Sequence, residues 1–237
     1  MLNIFREVAE RQGLKLYEFG PDARPTAIPE APAIVFAHKC KFPKSLFNGH
    51  VRGIRIIRDP RDIVISAAHY HCRSDEAWLH IKRPYLDGKT YAQAINALKT
   101  DTEKYRFELA HTSARVIAQM VNASGKQKLD AFIEGNFLTI RYEDLIVDSD
   151  LREVEKICKF LRLPFKRVAP IFVKKSLFGA QDKSVKHIRS GQPQQWRDKF
   201  TPEFANEFAE AQQHALETLG YEADKTWVKS LCRDQVA

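Results

Sequence analysis

Residues 53–71 read Gly53-Ile54-Arg55-Ile56-Ile57-Arg58-Asp59-Pro60-Arg61-Asp62-Ile63-Val64-Ile65-Ser66-Ala67-Ala68-His69-Tyr70-His71, and their order decides the fold. Residues 54–57 are mostly apolar and β-branched, the composition of a short strand. Arg58 falls where that strand ends. Asp59 is a suitable helix N-cap, and Pro60 suits the first helical position, where its missing N–H costs nothing. Asp62 sets a carboxylate in the first turn, at the positive end of the helix dipole. From Ile63 onward the residues favour a helix, and Asp59, Asp62, Ile63 and Ser66 share one of its faces by spacing. Ligands of open α/β sheets gather at the carboxyl ends of strands, and helix N-termini attract anions. The stretch therefore predicts a phosphate-bearing ligand held by Arg58 and Ser66. The same residues allow a plainer reading, in which Arg58 and Arg61 pair with Asp59 or Asp62 and Ser66 only permits close helix packing.

Working outward, the chain alternates strands with helices. Upstream, Leu2, Phe5, Val8 and Ala9 recur at helical spacing, with Gly13 as a stop. Strands are predicted over residues 14–19 and 33–37, joined by a proline-rich loop over 20–32. Downstream, residues 74–89 read as loop with a short helix around Trp78. Thr90 caps a helix over 91–98, and a longer one covers about 102–121. A strand over 137–142 precedes an amphipathic helix over 151–161 and a shorter one over 165–177. After a polar loop over 179–195, Thr201-Pro202-Glu203 opens a final helix with Phe204, Phe208, Ala215, Leu216 and Leu219 on its buried side. This alternation predicts one α/β domain over residues 1–237, three layers deep (α/β/α), around a mainly parallel central sheet.

Composition narrows the partners. In 237 residues, 44% are hydrophobic and 29% charged, as expected of one soluble domain with a substantial core. The net charge of +8 favours an anionic partner, but it is dispersed, and no Lys/Arg run resembles a nucleic-acid arm. Cys40, Cys72, Cys158 and Cys232 are widely spaced, which predicts neither a zinc ribbon nor a disulfide framework and places Cys158 in the core. No apolar run is long enough for a signal peptide or membrane span, so the expected setting is a reducing cytoplasm.

Several motifs fail on their spacing. Gly88-Lys89-Thr90 has the tail of a phosphate loop, but Arg83 occupies the upstream glycine position and no strand precedes it. His69 and His71 are two apart, so a helix does not bring them onto one face to clamp a metal. No Gly-x-Ser-x-Gly elbow supports hydrolase chemistry. Trp196 is read as a packing anchor ahead of a base-stacking platform.

Three separated pieces remain: residues 58–66; Ile140-Arg141-Tyr142-Glu143-Asp144-Leu145; and Arg189-Ser190-Gly191 followed by Trp196-Arg197-Asp198-Lys199-Phe200-Thr201-Pro202. In this order and spacing they resemble the cytosolic-type sulfotransferases, which use 3′-phosphoadenosine 5′-phosphosulfate (PAPS), over roughly residues 1–220. The resemblance implies a P-loop-like fold and transfer of a sulfuryl group from PAPS to a hydroxyl or amine of a small-molecule or glycan acceptor. No metal and no nucleic acid are involved in that reading. It assigns Arg58 and Ser66 to the nucleotide's 3′-phosphate, Tyr142 to the adenine, and Phe178 to an aromatic cover over the base. Arg189, Ser190 and Gly191 stand at the family's Arg-Lys-Gly triplet on the same phosphate, with Ser190 replacing the lysine. Guanidinium forks, a hydroxyl and backbone N–H groups suit a dianionic phosphate, and an aromatic face suits adenine.

The acid–base residue is divided between two positions. The family's Lys-Thr-His-Leu-Pro segment corresponds to Lys39-Cys40-Lys41-Phe42-Pro43, which places Lys41 at the histidine and leaves His38 three residues earlier. A histidine titrates near neutrality, whereas Lys41 needs its pKa lowered to act as a base, or it can neutralise the sulfuryl oxygens instead. The family also has a strand and a Lys-x-Gly-Thr/Ser-Thr loop for the 5′-phosphosulfate ahead of a helix like that over residues 2–12. The sequence starts at that helix, which leaves two expectations: a start assigned too late, or an N-terminally shortened fold. A catalytically weak nucleotide-binding remnant is the alternative function.

Overall fold

The computed structural model describes residues 1–20, 32–37, 51–122, 127–175 and 192–234. The chain opens with α1 (Leu2–Gln12), β1 (Lys15–Phe19), β2 (Ala33–Ala37), β3 (Gly53–Ile57) and α2 (Pro60–His71). Next come α3 (Tyr91–Asn96), α4 (Asp101–Glu108), α5 (Ala114–Val121) and α6 (Gln127–Asn136). The chain continues with β4 (Phe137–Arg141), α7 (Tyr142–Ile146), α8 (Arg152–Leu161) and α9 (Phe165–Lys175). It closes with α10 (Trp196–Lys199), α11 (Pro202–Thr218) and α12 (Thr226–Asp234). Internal contacts group these elements into two compact units, Met1–Ile57 with Asn122–Gly191, and Arg58–Val121 with Gln192–Ala237.

The first unit holds the described strands, and both pairs are parallel, as expected of a mainly parallel sheet. β1 lies beside β2 with Lys15 opposite Ala33, and β3 lies beside β4 with Ile57 opposite Arg141. At the start of the second pair the Phe137 ring covers Gly53, and a Cβ at Gly53 would meet its Cε1 at 2.2 Å. Any larger residue at 53 requires the Phe137 ring to shift. Helix α1 ends where Gly13 adopts φ 64°, a left-handed cap that glycine reaches without strain. Its Ile4, Phe5 and Val8 pack with Val154, Ile157 and Phe172 into one core that also buries Cys158. Asp148 accepts the N–H groups of Arg152, Glu153 and Val154 at 2.7, 2.9 and 3.1 Å, which caps α8.

The second unit is helical. Val64, Ile65 and Ala68 of α2 pack with Tyr105, Ile117, Phe204 and Phe208. Thr90 caps α3 through a capping box with Gln93, so its hydroxyl serves the helix and Gly88-Lys89-Thr90 is a turn leading into it. The expected long helix over 102–121 is divided. Between α4 and α5, residues Leu109–Ser113 form a wider π turn, which brings the Thr112 hydroxyl onto the fully buried Glu108 carboxylate. Glu108 also holds His71 Nδ1 at 2.6 Å. The helix opened by Thr201 is not the last, because α12 follows and buries Trp227, Val228 and Leu231. No described helix is long and apolar enough to cross a membrane.

Candidate functional site

Strand β3 ends at the buried Ile57, and Arg58 and Asp59 carry the chain to the first turn of α2. Asp59 caps that helix as its residue type predicts. Its side chain accepts the Arg61 N–H at 2.9 Å, and Pro60 holds the first helical position. The same carboxylate receives Arg61 Nε at 3.0 Å and Nη2 at 2.8 Å, a two-point fork. Arg61 Nη1 donates to Glu222 at 2.6 Å, and the guanidinium carbon lies 3.6 Å from the Trp196 ring centre and 4.7 Å from that of Trp227. With 2% of its surface exposed, Arg61 is committed to this frame. The pairing considered for Arg58 and Arg61 is thus realised for Arg61 with Asp59.

Asp62 stands in the first turn of α2, as its position predicts, and its carboxylate has a second role. It accepts the backbone N–H of Gln194 at 2.7 Å and of Trp196 at 3.1 Å. Burial, with the like charge of Asp59 beside it, raises its pKa to about 6 against the pull of those two N–H groups and of Arg58. Trp196 is a packing anchor, 1% exposed and edge-on to Trp227.

Arg58 and Ser66 are half-buried, one immediately before the cap of α2 and the other two turns into it. Among the described residues the Ser66 hydroxyl has no hydrogen-bond partner, although a helical serine ordinarily turns back to a carbonyl of the preceding turn. Tyr142, also half-buried, stands one residue beyond the predicted strand's true end, as the first residue of α7. Ile57 and Arg141 are register partners at the carboxyl ends of parallel strands. Tyr142 directly follows the strand end at Arg141.

His38, Lys41, Phe178, Arg189, Ser190 and Gly191 lie outside the described residues. Missing from the sequence reading were Glu222 and Trp227, which complete the Arg61 frame. Trp227, Val228 and Leu231 do follow a helical spacing, and that signal marks α12.

Compared with known families, residues 25–220 match the sulfotransferase domain. The chain belongs to the sulfotransferase family. Among solved structures it is similar to mouse sulfotransferase SULT7A1 complexed with PAP, at 16% identity and a TM-score of 0.56. That likeness covers 98% of this chain and 84% of the mouse one, and it speaks for the fold. No curated protein matches the sequence significantly. In this sulfotransferase domain, the β3–α2 junction carries a cation just past the end of a parallel strand and, two turns into the helix, a hydroxyl without a partner among the described residues.

Proposed function

We propose that this chain binds 3′-phosphoadenosine 5′-phosphosulfate and transfers its sulfuryl group to a hydroxyl or amine of a small-molecule or glycan acceptor. The observation that carries this reading is the β3–α2 junction, where Arg58 directly follows the strand and Ser66 offers its hydroxyl within a capped, framed helix. Arg58 supplies a guanidinium fork for the 3′-phosphate and Ser66 a neutral donor, while Tyr142 faces the adenine. Phe178 covers the base, and Arg189, Ser190 and Gly191 complete the phosphate contacts. Free Cys72 and buried Cys158 are compatible with a reducing, cytoplasmic setting.

In the reaction, the acceptor oxygen or nitrogen attacks sulfur in line as the bond from sulfur to the 5′-phosphate oxygen breaks. The acceptor proton passes to His38 or Lys41, and the electron pair leaves with 3′-phosphoadenosine 5′-phosphate (PAP). Positioning and neutralisation of the leaving phosphate supply the rate, as in phosphoryl transfer.

Calorimetric titration with PAP and with AMP, which lacks the 3′-phosphate, tests the donor assignment. PAP is expected to bind at least tenfold more tightly than AMP, and Arg58→Ala to abolish the difference. Equal binding of both nucleotides by the unaltered chain overturns it.

A further inference from the structure

Asp62 lies in the first turn of α2 and receives two backbone N–H groups from a segment 132 and 134 residues further along the chain. Those bonds hold an unusual backbone. Gln194 sits at φ 59°, in the left-handed region that disfavours a residue with a Cβ, and its N–H is the one at 2.7 Å from Asp62 Oδ2. Trp196, held by Oδ1 of the same carboxylate, is the residue stacked on Arg61. One carboxylate therefore fixes a strained turn against the helix that carries Ser66 and starts two residues after Arg58.

The electrostatics of this arrangement run against its proposed surroundings. A buried carboxylate beside Asp59 adds negative charge next to residues read as holding a phosphate, and its burial raises its pKa. An anion placed there repels the ligand unless its geometry returns more than its charge removes.

We infer that Asp62 is a positioning residue for the donor nucleotide: by seating Gln194 and Trp196 it holds the first turn of α2 in the register in which Arg58 and Ser66 discriminate a 3′-phosphate. This rests on the donor reading above. It also assigns a purpose to Gln194, which follows the Arg189-Ser190-Gly191 triplet by three residues in the sequence.

Charge and geometry predict opposite signs, so one substitution separates them. Asp62→Asn keeps the size, removes the charge and turns an N–H₂ group toward one of the two backbone donors. If Asp62 acts by positioning, the ratio of PAP to AMP affinity falls at least fivefold. Adding Gln194→Gly, which makes the left-handed turn intrinsically accessible, then restores most of the ratio. A ratio that is unchanged or rises in Asp62→Asn overturns the inference and leaves the donor reading intact. A parent chain that shows no preference for PAP overturns both. A measurement on the unaltered chain covers the case in which Asp62→Asn does not fold. Hydrogen exchange at the Gln194 and Trp196 amides is expected to slow more with PAP than with AMP, and equal protection by the two nucleotides overturns the inference.

Discussion

The Arg61 guanidinium carbon lies 3.6 Å from the ring centre of Trp196, a residue 135 positions later, while the same guanidinium forks onto Asp59. This contact ties the start of α2 to α10 and uses up an arginine that sits three residues from Arg58. Arg61 is 2% exposed and fully engaged in this frame.

Truncating Arg61 is therefore a stability experiment. Arg61→Met leaves Asp59 buried without its cation and strips Glu222 of its partner. Breaking a buried pair of this kind costs about 3–5 kcal/mol. Arg61→Lys keeps the charge but loses the fork and the stacked plane, and is expected to fall between the two. Urea denaturation of the three chains checks the order. Equal stability of all three shows that the frame carries no weight.

The pH dependence of stability has a determined sign at Asp62. Its folded pKa of about 6 exceeds the ordinary aspartate value of 3.8, so between these pH values the folded chain holds a proton that the unfolded chain has lost. The associated stability is fully present below the unfolded pKa and is lost as pH rises through 6. At 1.36 kcal/mol per unit the change is about 3 kcal/mol. The difference in unfolding free energy between the unaltered chain and Asp62→Asn should accordingly move by about that amount between pH 4 and pH 7. The aspartate chain is relatively more stable at the acidic end. Denaturant midpoints measured across this range decide it, and a flat difference removes Asp62 as the titrating group.

Gly53 is constrained by its register partner. Gly53→Ala places a methyl 2.2 Å from Cε1 and 2.5 Å from Cδ1 of Phe137, so the ring must move or the strands must part. Overpacking of this sort typically costs about 1–3 kcal/mol. Phe137→Leu combined with Gly53→Ala should recover part of that cost, because the clash is between these two side chains alone. A double-mutant cycle by chemical denaturation measures the coupling, expected at about 0.5–3 kcal/mol. Additive effects exclude the contact.

What was legible in the sequence follows from how far apart the partners are. The start of α2 needs only Asp59 and Pro60, adjacent residues whose cap and N1 preferences act locally, and the structure places them accordingly. Thr90 and Gln93 form their capping box for the same reason. The strands were visible as short apolar runs, and the mainly parallel sheet followed from their alternation with helices along the chain. The second role of Asp62 left no local trace, since its donors are more than a hundred residues away. Glu108 likewise meets His71 across 37 residues, and the π turn that delivers Thr112 to it looks like continuous helix in the sequence. The turn from strand into helix, after Ile57 and again after Arg141, was legible because a strand end followed by a helix start is itself a local pattern. The frame around the first turn of α2 was not, because it is built from distant side chains.

Ser66 offers the sharpest test of which group the junction recognises. Its hydroxyl is half-buried in α2, and its side chain has no partner among the described residues, so Ser66→Ala breaks no internal bond and leaves the fold nearly unchanged. A hydrogen bond to a charged group contributes about 1.5–3 kcal/mol. Loss of the bond to a 3′-phosphate should therefore weaken PAP by roughly 10- to 100-fold. AMP, which lacks that phosphate, should bind as before. Arg58→Lys belongs in the same series: it retains one charge but not the bidentate fork, and it should lie between the parent and Arg58→Ala for PAP alone. Calorimetry with the two nucleotides on all four chains gives the result directly. If Ser66→Ala weakens PAP and AMP equally, the hydroxyl contacts a part of the nucleotide that both share. In that case the assignment of Ser66 to the 3′-phosphate is wrong.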